Sequence, residues 1–297
     1  MSTTGGTSAT AATGGTFAAP PVLAVREAVA RALAEDLLPL GDLTASLVPE
    51  GSMARAAVVT RQDGVVAGSA CVVETFAQLD PAVGVDWQAG DGTEVVAGQV
   101  LGTVEGPLPP ILTGERTALN FLCHLSGVAT LTRSYVAAAG GRATIWDTRK
   151  TLPGLRALEK AAVRAGGGRN HRGSLSDFIL VKDNHLAGLT ITEAVRRARL
   201  RWPARTVEVE CDDRAQVEEA LEAGASLVLL DNMAPDEVAT CVALVAGRVS
   251  VEVSGGVTLD TVGAYAAAGA DLISSSVLTQ SAPALDIGLD IRPPAEP

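Results

Sequence analysis

From residue 143 to residue 276 the sequence repeats one unit, a short apolar run followed by a helical pattern. No other feature constrains the fold as tightly. The runs are ATIWD (143–147), DFILVK (177–182), TVEVE (206–210), SLVLLD (226–231), VSVEVS (249–254) and DLISSS (271–276). Between them lie LRALEKAAVRAG, TEAVRRARLR, RAQVEEALEAG, DEVATCVALVAG and LDTVGAYAAAG, several closing on Gly, a helix stop signal. Runs that are apolar on both faces and alternate with helices predict a parallel sheet covered by helices. Each run ends in polar residues, spaced 28, 21, 23 and 22 residues apart from Lys182 onward (182→210→231→254→276). Parallel strands bring their C-terminal ends to one face, where α/β barrels and open sheets build active sites. Six runs rather than eight predict an incomplete barrel or leave two strands cryptic.

The first half reads differently. Residues 54–73 predict two strands joined through Asp63-Gly64, and 83–105 predict antiparallel hairpins around Asp91-Gly92 and Ala97-Gly98. A long helix is expected over 115–139 with Thr113 as its N-cap, bridging two domains. The Gly-rich hairpins share a faint pattern with biotinyl carriers, but no modifiable Lys stands at a tip. The N-terminal segment has neither a basic nor an apolar signal region and predicts a disordered tail over 1–20.

Between Asp147 and His185 the chain holds eight Lys/Arg against four Asp/Glu, a local charge of 8 − 4 = +4 in a chain of formal charge −11. A cationic patch on an anionic protein predicts a small polyanionic ligand and argues against nucleic acid. No apolar run reaches the roughly 20 residues that span a bilayer. Cys71, Cys123, Cys211 and Cys241 lack metal-ligand spacing and are expected as buried free thiols in the cytoplasm.

Within the patch, Arg156, Lys160 and Arg164 fit the solvated basic face of an amphipathic helix. Arg149, Lys150, His171, Arg172 and Lys182 sit instead at the edges of apolar runs or after the Gly166–Gly168 triplet, where cations suit ligand capture. Lys182 ends an apolar strand, so its buried stem needs a partner or ligand at the mouth. Glu210 and Asp231 fit two roles, holding Mg²⁺ or sugar hydroxyls, or balancing the cations. Ser254-Gly255-Gly256, directly before a helix start at Thr258-Leu259-Asp260, forms a candidate phosphate cradle. His185 fits a helix cap, and His124 a satisfied core or interface residue. No Ser/His/Asp triad or zinc motif is present, so electrostatic catalysis on a phosphate- and carboxylate-bearing ligand is expected. A Schiff-base aldolase using Lys182 and a non-catalytic phosphate-binding barrel are the alternatives.

The strings ERTALNFLCHLSGVAT, DTRKTLPGLRALEKAAVRAGGGRNHRGSLSD, ILVKDNHL, VEVE, LLDNM and VSGGV, together with EDLLPLGDLTASLVP near the start, resemble the quinolinate phosphoribosyltransferase family over about residues 22–292. The resemblance implies an N-terminal open-faced α/β sandwich (21–125, with 281–297 packing back on it) and a C-terminal incomplete α/β barrel (126–280). It implies transfer from phosphoribosyl pyrophosphate to quinolinate with Mg²⁺ and loss of CO₂, yielding nicotinate mononucleotide in NAD biosynthesis, by a homodimer or larger assembly. By motif position, Arg116, Arg149, Lys150, His171, Arg172 and Lys182 would surround the anionic groups, with Arg116 reaching in from the neighbouring subunit. Glu210 and Asp231 would hold ribose hydroxyls and Mg²⁺, directly or through water, and Ser254, Gly255 and Gly256 the 5′-phosphate. Lys150, Lys182, Glu210 and Asp231 would carry the catalysis. The last strand departs from the family, with Ser276 where Gly is usual and Gln280 where His is usual. A Gly there would permit dihedrals that Ser resists. A paralogue of the family associated with molybdenum transport is the nearest rival, and the intact Arg149-Lys150 and His171-Arg172 pairs favour quinolinate.

Overall fold

The computed structural model describes residues 19–292. The tail expected over 1–20 lies outside them except for its last two residues, as does the end of the 281–297 segment. In chain order the strands are β1 (Met53–Thr60), β2 (Gly64–Val65), β3 (Gly84–Trp87), β4 (Glu94–Val95), β5 (Val100–Pro107), β6 (Thr144–Trp146), β7 (Ile179–Val181), β8 (Val207–Cys211), β9 (Leu227–Asp231), β10 (Ser250–Ser254), β11 (Leu272–Ser274) and β12 (Ile287–Arg292). The helices are α1 (Val22–Leu37), α2 (Ser69–Leu79), α3 (Leu108–Ala139), α4 (Arg156–Ala165), α5 (Asp183–Leu186), α6 (Ile191–Arg201), α7 (Arg214–Glu222), α8 (Pro235–Val245), α9 (Val262–Ala267) and α10 (Val277–Gln280).

All six runs of the second half are strands, and they form one parallel sheet in the order β6-β11-β10-β9-β8-β7. From β7 to β11 successive strands are neighbours, and β11, the last, pairs with β6, the first. The sheet therefore winds in one direction as a barrel does, with its seam open between β6 and β7. The chain after the Gly triplet crosses that seam and touches β6 through a single bridge, Trp146 to Arg169. Period-two alternation sends Val207, Val209, Val251 and Val253 outward under the helices and Glu208, Glu210, Glu252 and Ser254 into the barrel.

The first half is an antiparallel sheet in the order β12-β1-β5-β3. Alternate residues of β1, Ala54, Ala56 and Val58, are buried, while Met53 and Arg55 on the other face are exposed. Phe76 of α2 and Ile111 and Leu122 of α3 belong to the same core, so helices cover one side and the other stays open. The fold is thus an open-faced α/β sandwich followed by an incomplete α/β barrel.

Three local expectations for this half are corrected. Residues 69–73 are not strand but the start of α2, because Asp91 accepts the backbone N–H groups of Gly68 and Ser69 at 3.0 and 3.1 Å and so caps a helix there. With Asp91 so engaged, β3 pairs with β5 rather than folding back on β4, and β4 pairs with β2. The long helix starts at Leu108, with prolines in its first turn, where a missing N–H does no harm. Thr113 therefore lies inside it, donating from Oγ1 to Asp42 at 2.9 Å.

Candidate active site

A cavity of about 440 Å³ opens at the C-terminal ends of the barrel strands. Thr148, Arg149 and Lys150 reach it from the loop after β6, Lys182 from the end of β7, and Glu210 and Asp231 from β8 and β9. Ser254, Gly255 and Gly256 follow β10. His171 and Arg172 enter through the open seam. Of the candidate residues, Arg116 and Ser276 stand outside the lining. Arg116 is exposed on α3. Ser276 precedes α10 with φ −75° and ψ −20°, an ordinary helical conformation. The expected conflict between a Ser side chain and Gly-only dihedrals therefore does not arise.

The basic helix does not present a solvated face. Lys160 is buried and ion-paired with fully buried Asp147, and its ammonium also donates to the His171 carbonyl at 3.0 Å. Asp147 accepts the His171 backbone N–H at 3.0 Å, and Asn170 bonds Asp147 and the Lys160 carbonyl. Arg156 donates to the carbonyls of Gly173 and Arg149, and Arg164 to Asn170. The basic side of α4 faces inward because the seam segment, beyond its one bridge to β6, has no strand partners. Side chains satisfy its backbone instead. The Gly triplet is tightly turned rather than loose. A Cβ at Gly166 would stand 2.4 Å from the Ala129 carbonyl oxygen, and one at Gly168 2.8 Å from Thr132, so glycine lets this turn lie against α3.

At the seam end of the cavity the cations lie close to one another. His171 and Arg172 are buried. Burial, then the adjacent Arg149, pushes the Arg172 guanidinium down from its usual range. The buried Nε of Arg149 has no hydrogen-bond partner. Two neighbouring guanidiniums, one with a bare donor, fit an anion placed between them. At the end of β7, on the other edge of the seam, Lys182 is ion-paired with Glu210, and its backbone N–H donates to His185 Nδ1 at 3.0 Å, which makes His185 a cap. At Gly255 φ is +90°, and a Cβ would meet Asn232 Oδ1 at 2.3 Å. Only glycine fits there. The helix expected at Thr258 begins at Val262 instead, so loop backbone, not a helix end, furnishes the cradle.

Two acids beneath the cavity escaped the sequence reading. Glu208 and Glu252 are fully buried, with His171 Nε2 3.2 Å from a Glu208 oxygen and 3.6 Å from a Glu252 oxygen. Burial pushes Glu208 up to about 7, and burial together with Glu208 pushes Glu252 up to about 8. Burial also depresses His171. The signal was present in VEVE and VSVEVS, where Glu208 and Glu252 share the inward parity of Glu210 and Ser254. Among the described residues these three also form the one buried group whose donor atoms lie close enough together to hold a metal ion. Glu210 and Asp231 do not belong to it. They are oxygen donors at the mouth, which suits a hard cation that keeps waters and shares its shell with substrate phosphate. His124 Nε2 lies 2.8 Å from buried Glu159, as a satisfied core residue would.

The four cysteines are free, and no helix among the described residues is long and apolar enough to cross a membrane.

Comparison with known proteins bears on the same residues. The model of the quinolinate phosphoribosyl transferase N-terminal domain matches residues 42–126, and that of the C-terminal domain residues 128–290. A nicotinate-nucleotide pyrophosphorylase (carboxylating) of Mycobacterium leprae is 42% identical over 279 residues, 90% of this chain and 97% of the relative. A probable enzyme of the same name from Bacillus subtilis is 41% identical over 254 residues, 84% and 88% of the two chains. The solved nicotinate-nucleotide pyrophosphorylase of Francisella tularensis superposes with a TM-score of 0.88 at 36% identity, covering 92% of this chain and 97% of that one. With both domain models matched in order and the barrel-mouth cavity carrying the motif residues, the chain belongs to the quinolinate phosphoribosyltransferase family and is an enzyme of that kind.

Proposed function

We propose that the enzyme transfers the phosphoribosyl group of phosphoribosyl pyrophosphate to the ring nitrogen of quinolinate, with loss of the 2-carboxylate as CO₂, giving nicotinate mononucleotide and pyrophosphate. The observation that carries this reading is the polarity of one cavity. Arg149 and Arg172 stand side by side at one end, with a bare Arg149 Nε. The Ser254-Gly255-Gly256 turn stands at the other. A dicarboxylate fits the first and a phosphate the second, in a volume typical of small-ligand sites.

The chemistry needs placement more than a nucleophile. Departure of pyrophosphate leaves an oxocarbenium-like ribosyl centre, and holding the pyridine nitrogen against it saves most of the entropic cost of encounter. Arg149, His171 and Arg172 orient the ring through its carboxylates. Lys150 and Lys182 offset phosphate charge, and Glu210 and Asp231 position the ribose hydroxyls. Glu210 and Asp231 would also hold Mg²⁺, directly or through water, which when bound supplies charge stabilisation of the leaving pyrophosphate. Once the ring nitrogen is alkylated, its positive charge stabilises the electron pair left by the departing carboxylate. The Lys182–Glu210 ion pair argues against a Schiff-base aldolase, because an engaged ammonium is not the free amine that reaction needs.

We further propose a homodimer in which Arg116 serves the neighbouring subunit's cavity. Its exposure on α3, outside the cavity of its own chain, supports this. Exposed Leu38, Leu40, Leu43 and Leu47 offer apolar surface for association. Free thiols support a reducing compartment, the cytoplasm.

The test is an assay with quinolinate, phosphoribosyl pyrophosphate and Mg²⁺, with nicotinate as the comparison acceptor. Formation of nicotinate mononucleotide and CO₂ from quinolinate but not from nicotinate supports the reading. Turnover of nicotinate alone, or none with either acceptor by folded protein, refutes it. Sedimentation tests the dimer. Mixing Arg116→Ala with Lys182→Ala chains should restore activity, and failure to do so would refute the shared site.

A further inference from the structure

Asn232 stands directly after β9, exposed at the rim of the cavity, and lines it together with Asp231 and the Ser254-Gly255-Gly256 turn. Its φ is +57°, in the left-handed region. Among the described residues Ala187 and Ala246 are the other non-glycine residues with positive φ, and both close helices, where that conformation is common. Asn232 closes a strand and has no such reason. A side chain kept in this region at a ligand cavity marks a constraint imposed from outside its own backbone.

Three contacts identify the constraint. The Asn232 backbone N–H donates to the Ser254 carbonyl at 3.0 Å, so the end of β9 stays tied to β10. Its side-chain Nδ2 donates to Asp231 Oδ2 at 2.6 Å. Its Oδ1 lies over Gly255, where a Cβ would stand 2.3 Å from it. The carboxamide is oriented by charge, because its oxygen could not face a carboxylate oxygen at that distance. One side chain therefore touches an acid at the mouth through its donor end and the glycine turn through its acceptor end.

We propose that Asn232 is a positioning residue for the phosphoribosyl group, an inference that rests on phosphoribosyl pyrophosphate being the substrate. By engaging Oδ2 it fixes the Asp231 carboxylate, which then presents Oδ1 to the ribose hydroxyls. By seating Gly255 it fixes the turn whose backbone receives the 5′-phosphate. Hydroxyls and phosphate belong to one short group, so the two parts of its site must keep their separation, and a side chain that touches both sets it. Asn232 acts through Asp231 and Gly255 and needs no bond to the ligand.

The test compares wild type with Asn232→Gly by urea denaturation, by titration with phosphoribosyl pyrophosphate and Mg²⁺, and by titration with quinolinate. Glycine adopts positive φ freely, so the variant should keep the wild-type urea midpoint or exceed it. Its affinity for phosphoribosyl pyrophosphate should fall by about tenfold or more, as for loss of a hydrogen bond to a charged group. Quinolinate affinity should stay within about twofold. A packing role would lower the midpoint and both affinities together, and that result overturns the proposal, as does unchanged affinity for phosphoribosyl pyrophosphate. Asn232→Asp keeps the size of the side chain and its tolerance of left-handed backbone, so a loss there cannot come from a looser chain. It sets a second carboxylate against Asp231, and its affinity for phosphoribosyl pyrophosphate should fall at least as far as in the Gly variant; wild-type affinity would overturn the proposal. If wild type binds no phosphoribosyl pyrophosphate, the functional reading is refuted and the proposal with it. Wild-type binding that both variants leave untouched refutes the proposal alone.

Discussion

Replacing Lys160 with Met should destabilise the enzyme far more than loss of a surface ion pair would. The Lys160 side chain is 8% exposed and that of its partner Asp147 is 0% exposed. Burial pushes Asp147 up and Lys160 down from their ordinary values, against the attraction between them. Desolvating two ions therefore outweighs their mutual attraction, and the pair adds little net stability as a pair. Breaking it is another matter. Met fills the volume of Lys but removes the ammonium paired with Asp147, leaving its charge in a dry site with the Asn170 amide, the His171 N–H and the nearby Arg164 charge. Cases of this kind lose about 3–5 kcal/mol, against about 0–1 kcal/mol for an exposed pair. The His171 carbonyl would also lose its Lys160 donor, loosening the segment that carries His171 and Arg172 into the cavity. Urea denaturation followed by circular dichroism measures the loss, with quinolinate affinity read in parallel. The double variant Lys160→Met with Asp147→Asn removes the stranded charge and should recover a large part of the stability. A single-variant loss below about 1 kcal/mol, or no recovery in the double variant, would refute the reasoning.

Arg149→Lys should reduce kcat/KM for quinolinate by about 2–5 kcal/mol of binding, because an ammonium cannot reproduce the guanidinium fork; steady-state kinetics check it, and a change under tenfold would count against the assignment. Gly255→Ala forces a side chain into φ +90° and against Asn232 at 2.3 Å. It should raise KM for phosphoribosyl pyrophosphate and lower stability by about 1–3 kcal/mol, and an unaltered melting curve would contradict it. Because the Glu252 pKa is raised on folding, its contribution to stability is fully present below the unfolded-state value and disappears as pH rises through about 8. The groups facing it are Glu208 on β8, His171 in the seam segment and Ser274 on β11. Thermal midpoints across that range should fall in wild type and flatten in Glu252→Gln, and parallel curves would contradict this.

The βα repeat was legible because helix and strand periods are local properties of the chain. The polar residue closing each apolar run needs only the parallel arrangement to reach a common mouth. Lys182, Glu210, Asp231 and Ser254 arrive there for that reason. His171 and Arg172 reach the mouth without a strand of their own. Their motif suggested ligand capture, but only the open seam between β6 and β7 gives them a route. The fate of α4 was not legible. Its amphipathic pattern reads the same whether the basic side meets water or a strandless backbone, and Asp147 lies 13 residues from Lys160 in sequence. Antiparallel pairing in the first half was equally ambiguous, since Asp91-Gly92 serves a turn or a helix cap until the position of α2 decides.

The sequence alone determined the two-domain α/β order, the single-face convergence of polar strand ends and a cationic pocket in an anionic chain, because all three follow from period, composition and parallel pairing. Tertiary structure decided which charges face water and which face each other. That depends on burial, and burial is a property of elements brought together from afar. It turned Lys160 and Asp147 into a buried clamp, left one buried Arg149 nitrogen without a hydrogen-bond partner, and set Glu208 and Glu252 against His171 where two acids cannot both comfortably ionise.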